Sequence, residues 1–141
     1  MKSLEQVIKH VAEKNGMLFV LATPSEENMR GETEKVLWLD IQQDGTFNAV
    51  ASGYYITYHV KMHLMDDQEW DEEGEVANAR KNEMLGLAFR CFKQINYELE
   101  TETIMRVTQA PSWQVLYNSM DRNKIDIMLD LTIEDQTISQ C

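Results

Sequence analysis

Leu4, Val7, Ile8 and Val11 recur at the spacing of one helical face, with charged and polar residues between them. Ser3 stands where a cap is needed, and Gln6 follows three residues later, as in a capping box. Asn15-Gly16 tolerates the left-handed backbone that ends a helix, so the pattern predicts a helix over residues 3–14. The period then changes. Residues 17–22 are a near-continuous apolar run, read as a buried strand that stops at Thr23-Pro24-Ser25. Residues 24–34 are polar and charged and read as an exposed loop. A second strand is expected over residues 36–41. Asp44-Gly45 follows it, and an Asp-Gly step between two strand-like runs predicts a type I′ hairpin. The third strand starts near Phe47 and extends as far as Leu64 with a break at Gly53. Its later part places Tyr54, Ile56, Tyr58, Val60, Met62 and Leu64 on one face. Tyr55, Thr57, His59, Lys61 and His63 fall on the other. One apolar and one mixed face belong to an antiparallel sheet covered on one side.

A long helix is expected over residues 74–96, carried by Val76, Ala77, Met84, Leu87, Ala88, Cys91, Phe92 and Ile95. Acidic residues precede it, and Arg90 and Lys93 lie near its end, as the helix dipole favours. Strand patterns return at residues 103–107 and 113–117. A turn at residues 121–124 leads into the clear alternation of Ile125, Ile127, Leu129, Leu131 and Ile133 with Asp126, Met128, Asp130, Thr132 and Glu134. The element order is α-β-β-β-α-β-β-β. The expected fold class is α+β, a mostly antiparallel sheet of five to six strands covered on one face by two helices. Residues 1–141 are read as a single domain, with residues 135–141 as a frayed tail.

Length and composition fit that picture. A chain of 141 residues can enclose one ordinary core without disulfides or metal. Two prolines and six glycines leave no low-complexity linker. Cys91 and Cys141 suggest no disulfide framework and, with nine methionines, fit a reducing compartment. Cys91 reads as a small buried hydrophobe. Charges interrupt every early apolar run, so no signal peptide is expected, and no stretch reaches the roughly 20 apolar residues of a membrane span. The net charge of −11 argues against specific nucleic-acid binding, because an acidic surface repels phosphate.

Candidate chemistry is sparse. Asp66, Asp67, Glu69, Asp71, Glu72, Glu73 and Glu75 form an acidic run around Trp70. Its spacing is not that of a calcium loop, because Gly74 comes too late for the turn such a loop needs. It reads as a solvated segment leading into a helix, in which Trp70 offers a protein contact. The candidate contact residues are therefore Asp66, Asp67, Glu69, Trp70, Asp71, Glu72 and Glu73. His59 and His63 stand roughly 13 Å apart along an extended strand, too far to share a metal, and read as surface histidines. Asp126 and Asp130 read as the exposed face of a strand. No GxSxG surrounds Ser25, Ser52 or Ser112, and no glycine-rich phosphate loop occurs. The expectation is no enzyme, no cofactor and no metal. Tyr54, Tyr55, Tyr58, Trp38 and Trp113 lack the basic neighbours of a base-stacking sheet and are expected to pack in the core.

The element order resembles the tail-completion and tail-terminator subunits of tailed bacteriophages. The similarity is carried by a first helix, an antiparallel set ending in the long strand from Tyr54 to Met65, and the helix from Gly74 to Asn96. A closing hairpin from Trp113 to Ile133 completes it, turning at Asp121-Arg122-Asn123-Lys124. The resemblance covers nearly the whole chain and rests on elements, without a motif. It implies a ring-forming structural subunit of the virion, in the tail or neck. Such a subunit is made in the host cytoplasm, contacts copies of itself and neighbouring tail or connector proteins, and has no catalytic residues. The alternatives are a stand-alone acidic protein-binding module, such as an adaptor or inhibitor, and a small enzyme with an unrecognised site.

Overall fold

The computed structural model describes residues 2–22, 35–40, 43–51, 53–67, 74–117 and 124–136. Helix α1 (Leu4–Lys14) is followed by strands β1 (Leu18–Ala22), β2 (Val36–Asp40), β3 (Asp44–Val50) and β4 (Gly53–Asp67). Helix α2 (Gly74–Glu102) precedes β5 (Met105–Val107), β6 (Ser112–Tyr117) and β7 (Lys124–Asp135). The described residues form an α+β fold, with two helices packed on a mostly antiparallel sheet of seven strands.

Local sequence accounts for α1. The Ser3 side chain accepts a hydrogen bond from the Gln6 amide, and the Gln6 side chain accepts one from the Ser3 amide. Two amides that the first turn leaves unpaired are thereby satisfied. Leu4, Val7, Ile8, Val11 and Ala12 are buried on one face. Helix α2 runs past the expected end at residue 96, through buried Glu98 and Leu99 to Glu102.

Two long strands, β4 and β7, form the spine, paired from Ile56↔Asp135 to Asp67↔Lys124. Each carries two shorter strands end to end on its outer side. On β4, residues 62–65 take β2 and residues 53–59 take β3. On β7, residues 125–130 take β6 and residues 133–135 take β5. Consequently β3 and β6 occupy diagonally opposite corners of the sheet.

Two expectations about the strands need correction. The Asp44-Gly45 step makes no hairpin with β2, since β2 and β3 both pair with β4. The hairpin instead joins β3 to β4, where Val50 pairs with Gly53, and it divides the long third strand in two. Gly45 serves close approach instead: a Cβ there would collide with the Thr57 carbonyl of β4. The positive φ of 137° falls at Gly53, directly after the turn. Secondly, β1 and β2 pair in parallel. Parallel neighbours require a crossover of about a dozen residues or more, and residues 23–35 supply that length.

The core is asymmetric. One face of the sheet presents Leu37, Leu39, Val60, Met62, Leu64, Ile125, Ile127, Leu129, Leu131 and Ile133 to α1 and α2. Cys91 is buried there on α2, and burial pushes its thiol up to about 11. The opposite face also has a buried patch, at the β1–β2–β4 corner, built from Val20, Ala22, Val36, Trp38 and Met65. All five residues of β2 are buried in consequence.

Candidate functional site

The patch opposite the helices contains the most enclosed polar group among the described residues. His63 on β4 stands across from Trp38 on β2, and their rings stack with centroids 4.6 Å apart. Its Nδ1 lies 2.7 Å from Oδ2 of Asp126 on β7, a residue with no exposed surface. The two are diagonal cross-strand neighbours, because His63 is opposite Met128 and Asp126 is opposite Met65. The Trp38 indole donates to the Ala22 carbonyl at 3.0 Å. This corrects the reading of His63 and Asp126 as surface residues. His59, by contrast, is exposed. Strand alternation assigned both His63 and Asp126 to the polar face, but that face is buried where Trp38 lies. Chemically, a carboxylate that fixes one imidazole nitrogen orients the ring, and here the ring's other contact is an indole face. The arrangement ties three strands together.

A second polar cluster joins α1 to α2. Lys2 Nζ donates to Glu98 at 2.8 Å, and His10 Nδ1 lies 2.8 Å from the same carboxylate. Burial drives the Glu98 carboxyl up, and the hydrogen bonds from Lys2 and His10 more than reverse it, leaving the group below its ordinary value. Lys2 is raised by its hydrogen bond to Glu98. Asn15 Nδ2 reaches Gln94 at 2.6 Å beside this cluster. Glu98 thus acts as a structural acceptor at the helix–helix seam.

Of the acidic contact candidates, the structure describes Asp66 and the backbone of Asp67, at the end of β4. Asp66 is drawn towards α2 by Arg80, 3.8 Å away. Glu69, Trp70, Asp71, Glu72 and Glu73 lie outside the described residues, as do the turn at residues 121–123 and Cys141. Among the described residues no three His, Cys, Asp or Glu side chains are placed to hold a metal, and no helix is long and apolar enough to cross a membrane.

Two exposed apolar surfaces were not anticipated by the expectation that the strand aromatics pack in the core. That expectation holds for Trp38 and fails for Tyr54 and Trp113. At the β3–β4 corner, Phe47 is 88% exposed and Tyr54 69%. Phe47 pairs opposite Ile56, which itself pairs with Asp135, the last residue of β7, so the hairpin tip extends past its neighbour strand. At the diagonal corner, α2 and β6 enclose a groove of about 620 Å³ lined by Leu85, Phe89, Phe92, Pro111, Trp113 and Leu129, among others. Phe89 is 60% and Trp113 54% exposed. No lining residue is charged. Lys93 sets its ammonium 4.9 Å from the Phe89 ring centre, which puts one positive charge at the groove's edge on a chain of net charge −11. Residues 45–58 likewise hold no charged side chain, in a chain where 26% of residues are charged. That gap in the charge pattern was the available signal for the hairpin. Comparison with protein-family models and with curated proteins finds no match to this chain.

Proposed function

We propose that the chain is a structural subunit that assembles with copies of itself, in the manner of the tail-completion and tail-terminator subunits of tailed bacteriophages. Its place is then the tail or neck of a virion, beside neighbouring tail or connector proteins. The observation that carries this reading is the pair of uncharged apolar surfaces at opposite corners of one sheet. Single exposed hydrophobic residues are ordinary, whereas clustered aromatics mark interaction sites. Two different surfaces on one chain suit head-to-tail contact, which closes into a ring when the rotation per subunit allows. The acidic segment with Asp66, Asp67, Glu69, Trp70, Asp71, Glu72 and Glu73 is proposed as a further contact, joining the longest strand to the longest helix.

Light scattering on concentrated protein, with electron microscopy of the same sample, tests the reading. The expected result is an oligomer of defined mass, and mass spectrometry of purified particles should find the chain. A chain that stays monomeric at high concentration and is missing from particles removes the structural reading. The acidic protein-binding module then takes its place.

A further inference from the structure

We propose that copies join head to tail, the β3–β4 hairpin of one copy seating Phe47 and Tyr54 in the α2–β6 groove of the next. This deepens the structural-subunit reading and rests on it. Three observations select a second copy as the occupant. The first is electrostatic. Two chains of net charge −11 repel one another, and each can approach the other most cheaply through surface free of carboxylates. Residues 45–58 and the groove lining themselves carry no carboxylate, the nearest to the hairpin standing at its base where Asp135 pairs with Ile56, and Lys93 adds a cation at the groove's edge.

The second observation is geometric. Phe47 and the groove's Trp113 lie on the helix side of the sheet, since Phe47 pairs with Ile56 and Trp113 with buried Leu129. Between β3 and β6 stand β4 and β7, about 14 Å across at roughly 4.8 Å per strand. Along the strands, Ile56 and Met62 (the partner of Leu129) are about 20 Å apart at roughly 3.3 Å per residue. A hairpin cannot reach the groove of its own chain, so the contact must run between copies. The third observation is Gly86, an exposed residue inside α2 that lines the groove. A glycine in a helix interior costs about 1 kcal/mol relative to alanine. No atom lies within 4 Å of where its Cβ would be, so packing within the chain does not require it. It leaves the groove wall open. β3 itself carries none of the lysines or prolines that usually protect an edge strand.

The test mixes two variants of the full chain. Phe47→Glu places a charge on the hairpin and keeps the groove. Phe89→Glu places one in the groove and keeps the hairpin, and its carboxylate falls four residues before Lys93, a favourable helical pair. Circular dichroism should show both folded. Each alone should be monomeric where the wild type assembles, and mixing should give a one-to-one heterodimer and nothing larger. Gly86→Leu fills the groove without charge; it should raise thermal stability and weaken assembly at least tenfold. Homodimers of Phe89→Glu would show hairpin pairing with hairpin and overturn the inference. Equal assembly of wild type and any of the three variants would also overturn it, leaving the structural reading in place. A wild type that never assembles overturns the inference, and absence from particles is the separate result that ends the wider reading.

Discussion

Removing the Asp126 carboxylate should be among the most damaging single changes in the chain. Asp126 is fully buried, and its Oδ2 sits 2.7 Å from Nδ1 of His63. That ring is also buried, stacked against Trp38. Asp126→Leu therefore leaves an imidazole nitrogen cut off from both carboxylate and water. Breaking a buried pair from one side costs about 3–5 kcal/mol, against about 0–1 kcal/mol for an exposed pair. Burial decides which figure applies. In a domain of this length the loss lowers the melting temperature by roughly 10–15 °C. Removing both partners has a different consequence. His63→Leu with Asp126→Leu leaves neither group stranded, and apolar replacement of a buried pair is often nearly neutral. The double variant should then recover much of what either single change loses. Urea unfolding of the wild type, the two single variants and the double variant forms a cycle. Because the double variant should lose no more than either single change, the coupling energy is expected to be at least about 3 kcal/mol. The cycle is needed because a single substitution reports everything the carboxylate touches. A coupling below about 0.5 kcal/mol, within the scatter of independent sites, would refute the claim that this pair ties β4 to β7.

Other consequences can be checked alongside. Glu98 is held below its ordinary value of 4.5, so it contributes stability that is full above that value and lost as pH falls through its folded value. Glu98→Gln should flatten the fall in melting temperature below about pH 4.5, measured by thermal scans across pH. The Cys91 thiol is buried and raised to about 11, so in a Cys141→Ser background iodoacetamide at pH 8 should label Cys91 on unfolding and not before. Gly45→Ala forces a Cβ against the Thr57 carbonyl and should destabilise the fold by about 1–3 kcal/mol in denaturant titrations. Equal stability of the two would remove close approach as the reason for that glycine.

Features fixed by local chemistry were legible in the sequence. The Ser3–Gln6 capping box, the buried stripe of α1 and the alternation of β7 all follow from neighbours a few residues apart. Where a local signal competed with pairing, it misled. Asp44-Gly45 has the composition of a hairpin turn, yet the hairpin closes between Val50 and Gly53, and Gly45 goes where a side chain has no room. The break at Gly53 was the better sign, because its positive φ follows the turn directly. His63 and Asp126 show another limit. Alternation assigns a side chain to a face and does not say what lies on that face. The continuous apolar run of Val36 to Leu39 held the missing information, since a strand apolar at successive positions is buried on both sides. Trp38 is in that run, and its cross-strand neighbour is His63.

The proposed contact surfaces were harder to see for a related reason. The acidic segment stands out because charge is a positive mark in a sequence, whereas the hairpin is defined by the charge it lacks over residues 45–58. An uncharged stretch of that length reads as core until the sheet order shows that β7 ends opposite Ile56, which leaves Phe47 level with its last residue and Tyr54 beyond it. The groove has no local pattern at all. Phe89 and Phe92 come from α2, Pro111 and Trp113 from the β5–β6 connection and β6, and Leu129 from β7. In α2, Phe92 fits the core period and Phe89 falls outside it, which leaves Phe89 on the solvent side of the same stripe. Only the pairing of Trp113 with Leu129 brings β6 alongside that ring. The diagonal placement of the two surfaces depends in turn on β2 and β3 sharing one side of β4, and β5 and β6 sharing one side of β7. The proposed head-to-tail geometry therefore depends on strand register, and a change that moved β6 along β7 would redirect the proposed assembly without altering either surface.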